Sequence, residues 1–139
     1  MSGDYDVDGK AFWTAATVVA VIAALGGMVA QVVLELIFDI DLVAGAGGSL
    51  GIGTTFIVAF VVAMAAAGLL HLFLAAVPRG RTFWQLLASL VLIASVVPIT
   101  QVDSDGENKL LLLIVHLVVY LFTVPTLSGL VGRVATPRA

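Results

Sequence analysis

The sequence contains no cysteine, and only 11% of its 139 residues are charged. Without thiols, disulfides, thiolate nucleophiles, iron-sulfur clusters and cysteine-ligated zinc are all excluded, and the redox compartment is left undetermined. Any chemistry must come from carboxylates, hydroxyls and the two histidines. Basic residues are also scarce. Six Lys and Arg against nine Asp and Glu give a net charge of -3, and the cations are too scattered to neutralise a phosphate backbone, so no nucleic-acid partner is expected.

What is abundant is apolar: 61% of the residues are hydrophobic, well outside the range of soluble globular domains. The chain fits one domain whose solvent is lipid. The residues before the first apolar run are acidic, with Asp4, Asp6 and Asp8 against Lys10, and the run itself shows no small-residue cleavage pattern. It therefore reads as a retained helix and not as a secretory signal.

Four runs are long enough to cross a bilayer as helices: residues 11–38, 54–77, 82–100 and 109–133. None alternates with period two, and each is longer than the roughly ten residues of a barrel strand, which excludes a β-barrel reading. Pro78-Arg79-Gly80-Arg81 is too short for anything but a reversal between the second and third runs, and Pro125 interrupts the fourth. Lys10, Arg79, Arg81, Arg133 and Arg138 fall on one side, and Lys109 alone on the other. The expected fold is thus an all-α integral membrane protein, an antiparallel four-transmembrane-helix bundle with both termini cytoplasmic. Trp13 and Trp84 are then expected at the inner headgroup level. Lipid supplies no hydrophobic drive for helix association, so small residues mark the packing faces. Ala16, Ala20, Ala24, Gly26 and Ala30 of the first run are expected to meet Ala59, Ala63, Ala67 and Gly68 of the second.

Polar groups inside hydrocarbon are the best pointers to function. Gln31 and Glu35 are four apart on one face of the first helix, and His116, Tyr120 and Thr123 form a stripe on the fourth. Ser95, Thr100 and Gln101 occupy the outer half of the third, beside Pro98. The candidate site is an outer-leaflet cluster of Gln31, Glu35, Ser95, His116 and Tyr120. It reads either as a proton-carrying or ligand-binding Glu/His pair or as an interhelical hydrogen-bond network, and the network is the expectation. His71 and His116 lie at opposite depths, which rules against their being the two axial ligands of one haem, and His71 reads as a satisfied structural histidine. No cofactor and no metal site is expected. Gly45-Ala46-Gly47-Gly48-Ser49-Leu50-Gly51 has the wrong context and spacing for a phosphate loop, and the residues from Asp103 to Asn108 read as a solvated acidic turn capping the fourth helix rather than, with Asp39 and Asp41, a cation site.

The second half of the chain resembles a family of small, functionally uncharacterised four-helix membrane proteins known chiefly from actinobacteria. The likeness rests on Arg81, Trp84, Ser95 and Pro98, then on His116-Leu117-Val118-Val119 and Pro125. It covers the stretch from Arg81 onward, and the first half only through helix order and the Asp-bearing end of the first helix. The resemblance implies a four-helix architecture and no activity, substrate or cofactor. The acidic N-terminal segment and outer loops depart from the Arg-rich pattern of such proteins and would also suit a halophile.

With few convergent polar groups and short loops, the sequence does not read as an enzyme. The expected role is an accessory, assembly or scaffold subunit in a prokaryotic plasma membrane, as a homo-oligomer or within a larger membrane complex. The alternative is a small oligomeric proton-coupled transporter using Glu35 and His116.

Overall fold

The computed structural model describes residues 5–44 and 48–137; the sequence features at Asp4, at 45–47 and at Arg138 lie outside the described residues. Four helices dominate: α1 (Gly9–Phe38), α2 (Ile52–Ala76), α3 (Gly80–Thr100) and α4 (Gly106–Val134). Each is long and apolar enough to cross a membrane. All four begin two or three residues before the apolar runs; α1 and α4 do so because each starts at a polar cap, with the hydrocarbon further along. The Asp8 carboxylate accepts from the Ala11 N-H at 3.1 Å, and the Asp105 carboxylate accepts from the Asn108 N-H at 2.9 Å.

Two short ribbons, which no periodicity announces, join the helix ends. β1 (Tyr5–Val7) pairs antiparallel with β4 (Ala135–Pro137), Tyr5 opposite Pro137 and Val7 opposite Ala135. β2 (Val43–Ala44) pairs with β3 (Gly48–Ser49) in the loop between α1 and α2. Runs of two or three residues are too short to show alternation, yet they give partners to backbone groups that have left the helices.

Small residues set the packing. Ala16, Ala20 and Ala24 of α1 and Ala59, Ala63 and Ala67 of α2 are all buried, and Ala20, Ala23 and Ala63 form one cluster. Gly26, however, turns to α4. A β-carbon there would lie 3.0 Å from the Phe122 ring, and one on Gly27 would lie 2.7 Å from Val119 Cγ2. The glycine pair thus serves the α1–α4 contact, which the alanine spacing alone does not reveal.

The core at the end of the bundle that carries β1 and β4 gathers Phe12, Val19, Leu70, Leu74, Trp84, Leu127 and Val131. Trp84 has its N-H inside the bundle and not near water as expected. It is 1% exposed, and its indole N-H donates to the Ala66 carbonyl at 2.8 Å. With a partner for its N-H inside the bundle, the ring gains more from burial than from the interface. Trp13 is exposed, as an interfacial indole would be. α3 is the outlying helix: Gly80, Trp84 and Ile99 are its buried residues.

Candidate functional site

Gln31 lies in the last third of α1 and is fully buried. Its Nε2 donates to Glu35 Oε1 at 2.8 Å, one turn along the same helix, and to the Leu50 carbonyl at 2.6 Å. Its Oε1 accepts from the Thr55 hydroxyl, one turn into α2. Glu35 Oε1 in turn accepts from the Leu42 N-H at 3.2 Å, and the Leu50 N-H donates to the Leu42 carbonyl at 2.6 Å. Two side chains of α1 therefore hold both arms of the loop, with Thr55 of α2 bracing Gln31.

Asn108 holds the same loop from α4. Its Oδ1 accepts from the Val43 N-H at 2.8 Å, and its Nδ2 donates to the Val43 carbonyl at 3.0 Å and to Ser104 Oγ at 3.0 Å. A primary amide presents donor and acceptor side by side, as a peptide group does, so Asn108 acts as a one-residue strand beside Val43. Between these two attachments Leu42, 0% exposed, is driven into a cluster with Ile99, Leu111, Leu112 and Val115. The loop is a plug fastened across this end of the four helices, and the turn before α4 caps it and supports Asn108.

The five residues expected in one cluster fall into four places, a correction to the sequence reading. Gln31 and Glu35 do meet. His116 does not join them: it is exposed, and its Nδ1 lies 2.8 Å from the Leu112 carbonyl of its own helix. Tyr120 pairs with Ser89 of α3 at 2.8 Å, and the Ser95 hydroxyl donates to the Leu92 carbonyl at 2.6 Å. The cause is azimuth. α4 meets α1 through Val119 and Phe122, and at about 100° per residue His116 is turned roughly a quarter-circle from that line. Thr55 and Asn108, which the sequence reading did not select, complete the network.

A second polar seam joins α3 to α4. Gln85 Nε2 donates to Ser128 Oγ at 2.9 Å, and the Ser89 hydroxyl donates to the Gln85 carbonyl at 2.9 Å. Because the Ser89 proton is so directed, the Tyr120 hydroxyl is the donor in their pair. These are helix-joining bonds of side chains with no further partner to activate. Among the described residues, no three His, Asp or Glu side chains are grouped to hold a metal ion.

His71 is not satisfied in the way expected. Its ring sits 5.0 Å from that of Phe12 and 5.8 Å from that of Trp13, and its buried Nδ1 has no hydrogen-bond partner. Phenylalanine would keep the ring packing and remove the unpaired nitrogen. His71→Phe is therefore expected to unfold in detergent at the parent's temperature or above it, by about 1 kcal/mol of added stability, whereas His71→Ala is expected to lose about 2 kcal/mol. Circular dichroism melts of the two variants test this, and a His71→Phe protein less stable than His71→Ala would reverse the assignment.

Residues 7–133 match the model of a family of unknown function, DUF6069. The match runs through both halves of the chain, where the sequence resemblance was carried by the second. No curated protein and no solved structure matches the chain.

Proposed function

We propose that this chain, which belongs to the DUF6069 family of unknown function, is a non-enzymatic accessory, assembly or scaffold subunit of a prokaryotic, and by its family resemblance actinobacterial, plasma membrane. In this reading its four helices run antiparallel with both termini in the cytoplasm, an orientation supported by the grouping of Lys10, Arg79, Arg81 and Arg133 against Lys109. The β1–β4 pairing is what such a topology needs, since it brings residues 5–7 beside residues 135–137.

The observation that carries the reading is the outer network, whose side-chain polar atoms other than Glu35 Oε2 find partners within the chain. Gln31, Thr55, Glu35 and Asn108 direct their polar atoms at each other and at loop backbone. A substrate site needs convergent groups that remain available to a ligand. What the fold presents outward instead is apolar helix surface, above all along α3, where Leu86, Leu90 and Ile93 are each more than 60% exposed. Surface of that kind associates with lipid and with other helices.

The carrier alternative was motivated by Glu35 and His116 acting together, and these two have separate partners. Native mass spectrometry of the protein gently extracted from its own membrane is the test. Co-extracted foreign subunits are the expected result, and a single-component species that turns over a substrate would overturn the proposal. In liposomes, Glu35→Gln and His116→Ala are expected to leave any flux of the parent unchanged, and loss of flux in both would restore the carrier.

A further inference from the structure

The end of the bundle that carries β1 and β4 holds charges of both signs that do not pair with each other. A groove of about 420 Å³ opens there, between β1 and the start of α1 on one side and the end of α4 with β4 on the other. Asp6 and Asp8 line it from the first side and Arg133 from the second. The Arg133 guanidinium and the Asp6 carboxylate have no hydrogen-bond or ion-pair partner among the described residues. Asp8 engages only Oδ1, which accepts from the Ala11 N-H.

The groove lies at the edge of the hydrocarbon. It takes in Ala11, where the apolar run of α1 opens, and Arg133, where that of α4 ends, which is headgroup level for helices that cross a bilayer. Below it the adjoining stripe of α4 is nearly bare. Gly132, which lines the groove, and Gly129 are both exposed, and a β-carbon on either would have nothing within 4 Å. At about 100° per residue, Gly132, Gly129, Pro125 and Phe122 fall within a quarter-circle of α4, and so do Ala11, Val18, Ile22 and Gly26 of α1. Val18 and Ile22 are exposed, and Phe122 is where the two stripes meet, against Gly26. A furrow with an apolar wall therefore descends from the charged groove to the Phe122–Gly26 contact.

A purely anionic headgroup would meet the two carboxylates here, and a purely cationic one the guanidinium. A phosphate for Arg133 and an ammonium for Asp6 and Asp8, joined by a short linker and continued as an acyl chain for the furrow, suit every part of the site. A primary ammonium also donates hydrogen bonds to carboxylates, which a quaternary one cannot do. We infer that this groove binds a phospholipid with a phosphoethanolamine headgroup, its phosphate on Arg133 and its ammonium between Asp6 and Asp8. A lipid occupant is compatible with either outcome for the accessory-subunit reading, because no foreign protein is needed to bind it.

Native mass spectrometry of the full chain tests it, with the protein stripped of lipid in mild detergent and titrated with phosphatidylethanolamine, phosphatidylcholine and phosphatidylglycerol of the same acyl chains. Phosphatidylethanolamine is expected to bind at least about fivefold tighter than either of the others, the worth of one charge-assisted hydrogen bond at a half-open site. Asp6→Asn should remove most of that preference while phosphatidylglycerol still binds, and Arg133→Gln should weaken all three lipids. Gly132→Leu, which fills the head of the furrow, should lower phosphatidylethanolamine binding about tenfold. These three positions are exposed, and Asp8, which caps α1, is left unchanged, so each variant should melt with the parent. Equal binding of the three lipids by the parent would overturn the inference, as would a preference that survives both Asp6→Asn and Arg133→Gln. Soluble glycerophosphoethanolamine, which has the headgroup and no chain, is expected not to displace the lipid. Binding as tight as that of the lipid would mean that the furrow holds no chain, and the assignment to a phospholipid would fall.

Discussion

Gly80→Ala is expected to cost about 3–5 kcal/mol, or to abolish recovery of folded protein, because a β-carbon at this position would lie 2.1 Å from the Phe73 carbonyl oxygen and 2.5 Å from its carbon. The atoms it would meet are backbone, held within α2, and no rotamer change relieves the overlap. The turn there is tight. The Gly80 N-H donates to the Val77 carbonyl at 3.0 Å, and the Val77 N-H to that same Phe73 carbonyl at 3.0 Å, so the end of α2 and the start of α3 are packed against each other. Yield of folded protein and melting temperature in a mild detergent read the effect. Gly129→Ala, at a position with nothing near the added carbon, serves as the control and is expected to be neutral or slightly stabilising. A Gly80→Ala protein that melts within a few degrees of the parent would mean that the hairpin closes in another way.

Gln31→Leu carries the second large expectation, a loss of about 2–4 kcal/mol, although leucine is apolar and similar in size. Removing the amide leaves the Thr55 hydroxyl and the Leu50 carbonyl unpaired, and takes one of two donors from Glu35 Oε1, at a site where Gln31 itself is fully buried. An unmade bond to a buried group is costlier than the net worth of a made one. The loss should be concentrated in the plug. Amide hydrogen exchange is expected to accelerate at Leu42 and Leu50, whose N-H groups belong to the same network, while amides in the middle of α2 keep their protection. The double variant Gln31→Leu with Thr55→Val should be less destabilised than the two single effects summed, since the second change removes a group the first has orphaned. Equal exchange in plug and helices, or strict additivity, would show that the network does not hold the loop.

The number of helices and the seam between the first two could be read from the chain because lipid imposes simple rules: long apolar runs and regularly spaced small residues. The candidate site could be read only in part. Gln31 and Glu35 meet because a spacing of four on one helix fixes both depth and direction. For residues on different helices, sequence gives depth but not azimuth, and His116, placed at a suitable depth, is turned away from α1. Asn108 was visible only as one member of an acidic turn; its pairing with Val43 spans 65 residues and leaves no local mark. In the reversal after α2 the left-handed residue is Arg79, at φ 56°, and its neighbour Gly80 is required for space. The same conformation ends α1 at Asp39, φ 52°, where an aspartate tolerates what most residues avoid.

The β1–β4 ribbon has a consequence for the order of events during synthesis. β1 is made before all four helices, and its partner lies some 130 residues later in the chain. The glycine contacts of α1 with Val119 and Phe122 wait as long. At about 5–20 residues per second, α1 and α2 therefore stand together in the bilayer for several seconds with the α4 side of α1 uncovered. During that interval Gly26 and Gly27 offer a close-packing surface to any neighbouring helix, and the ring of four is closed only when β4, made after all four helices, pairs with β1.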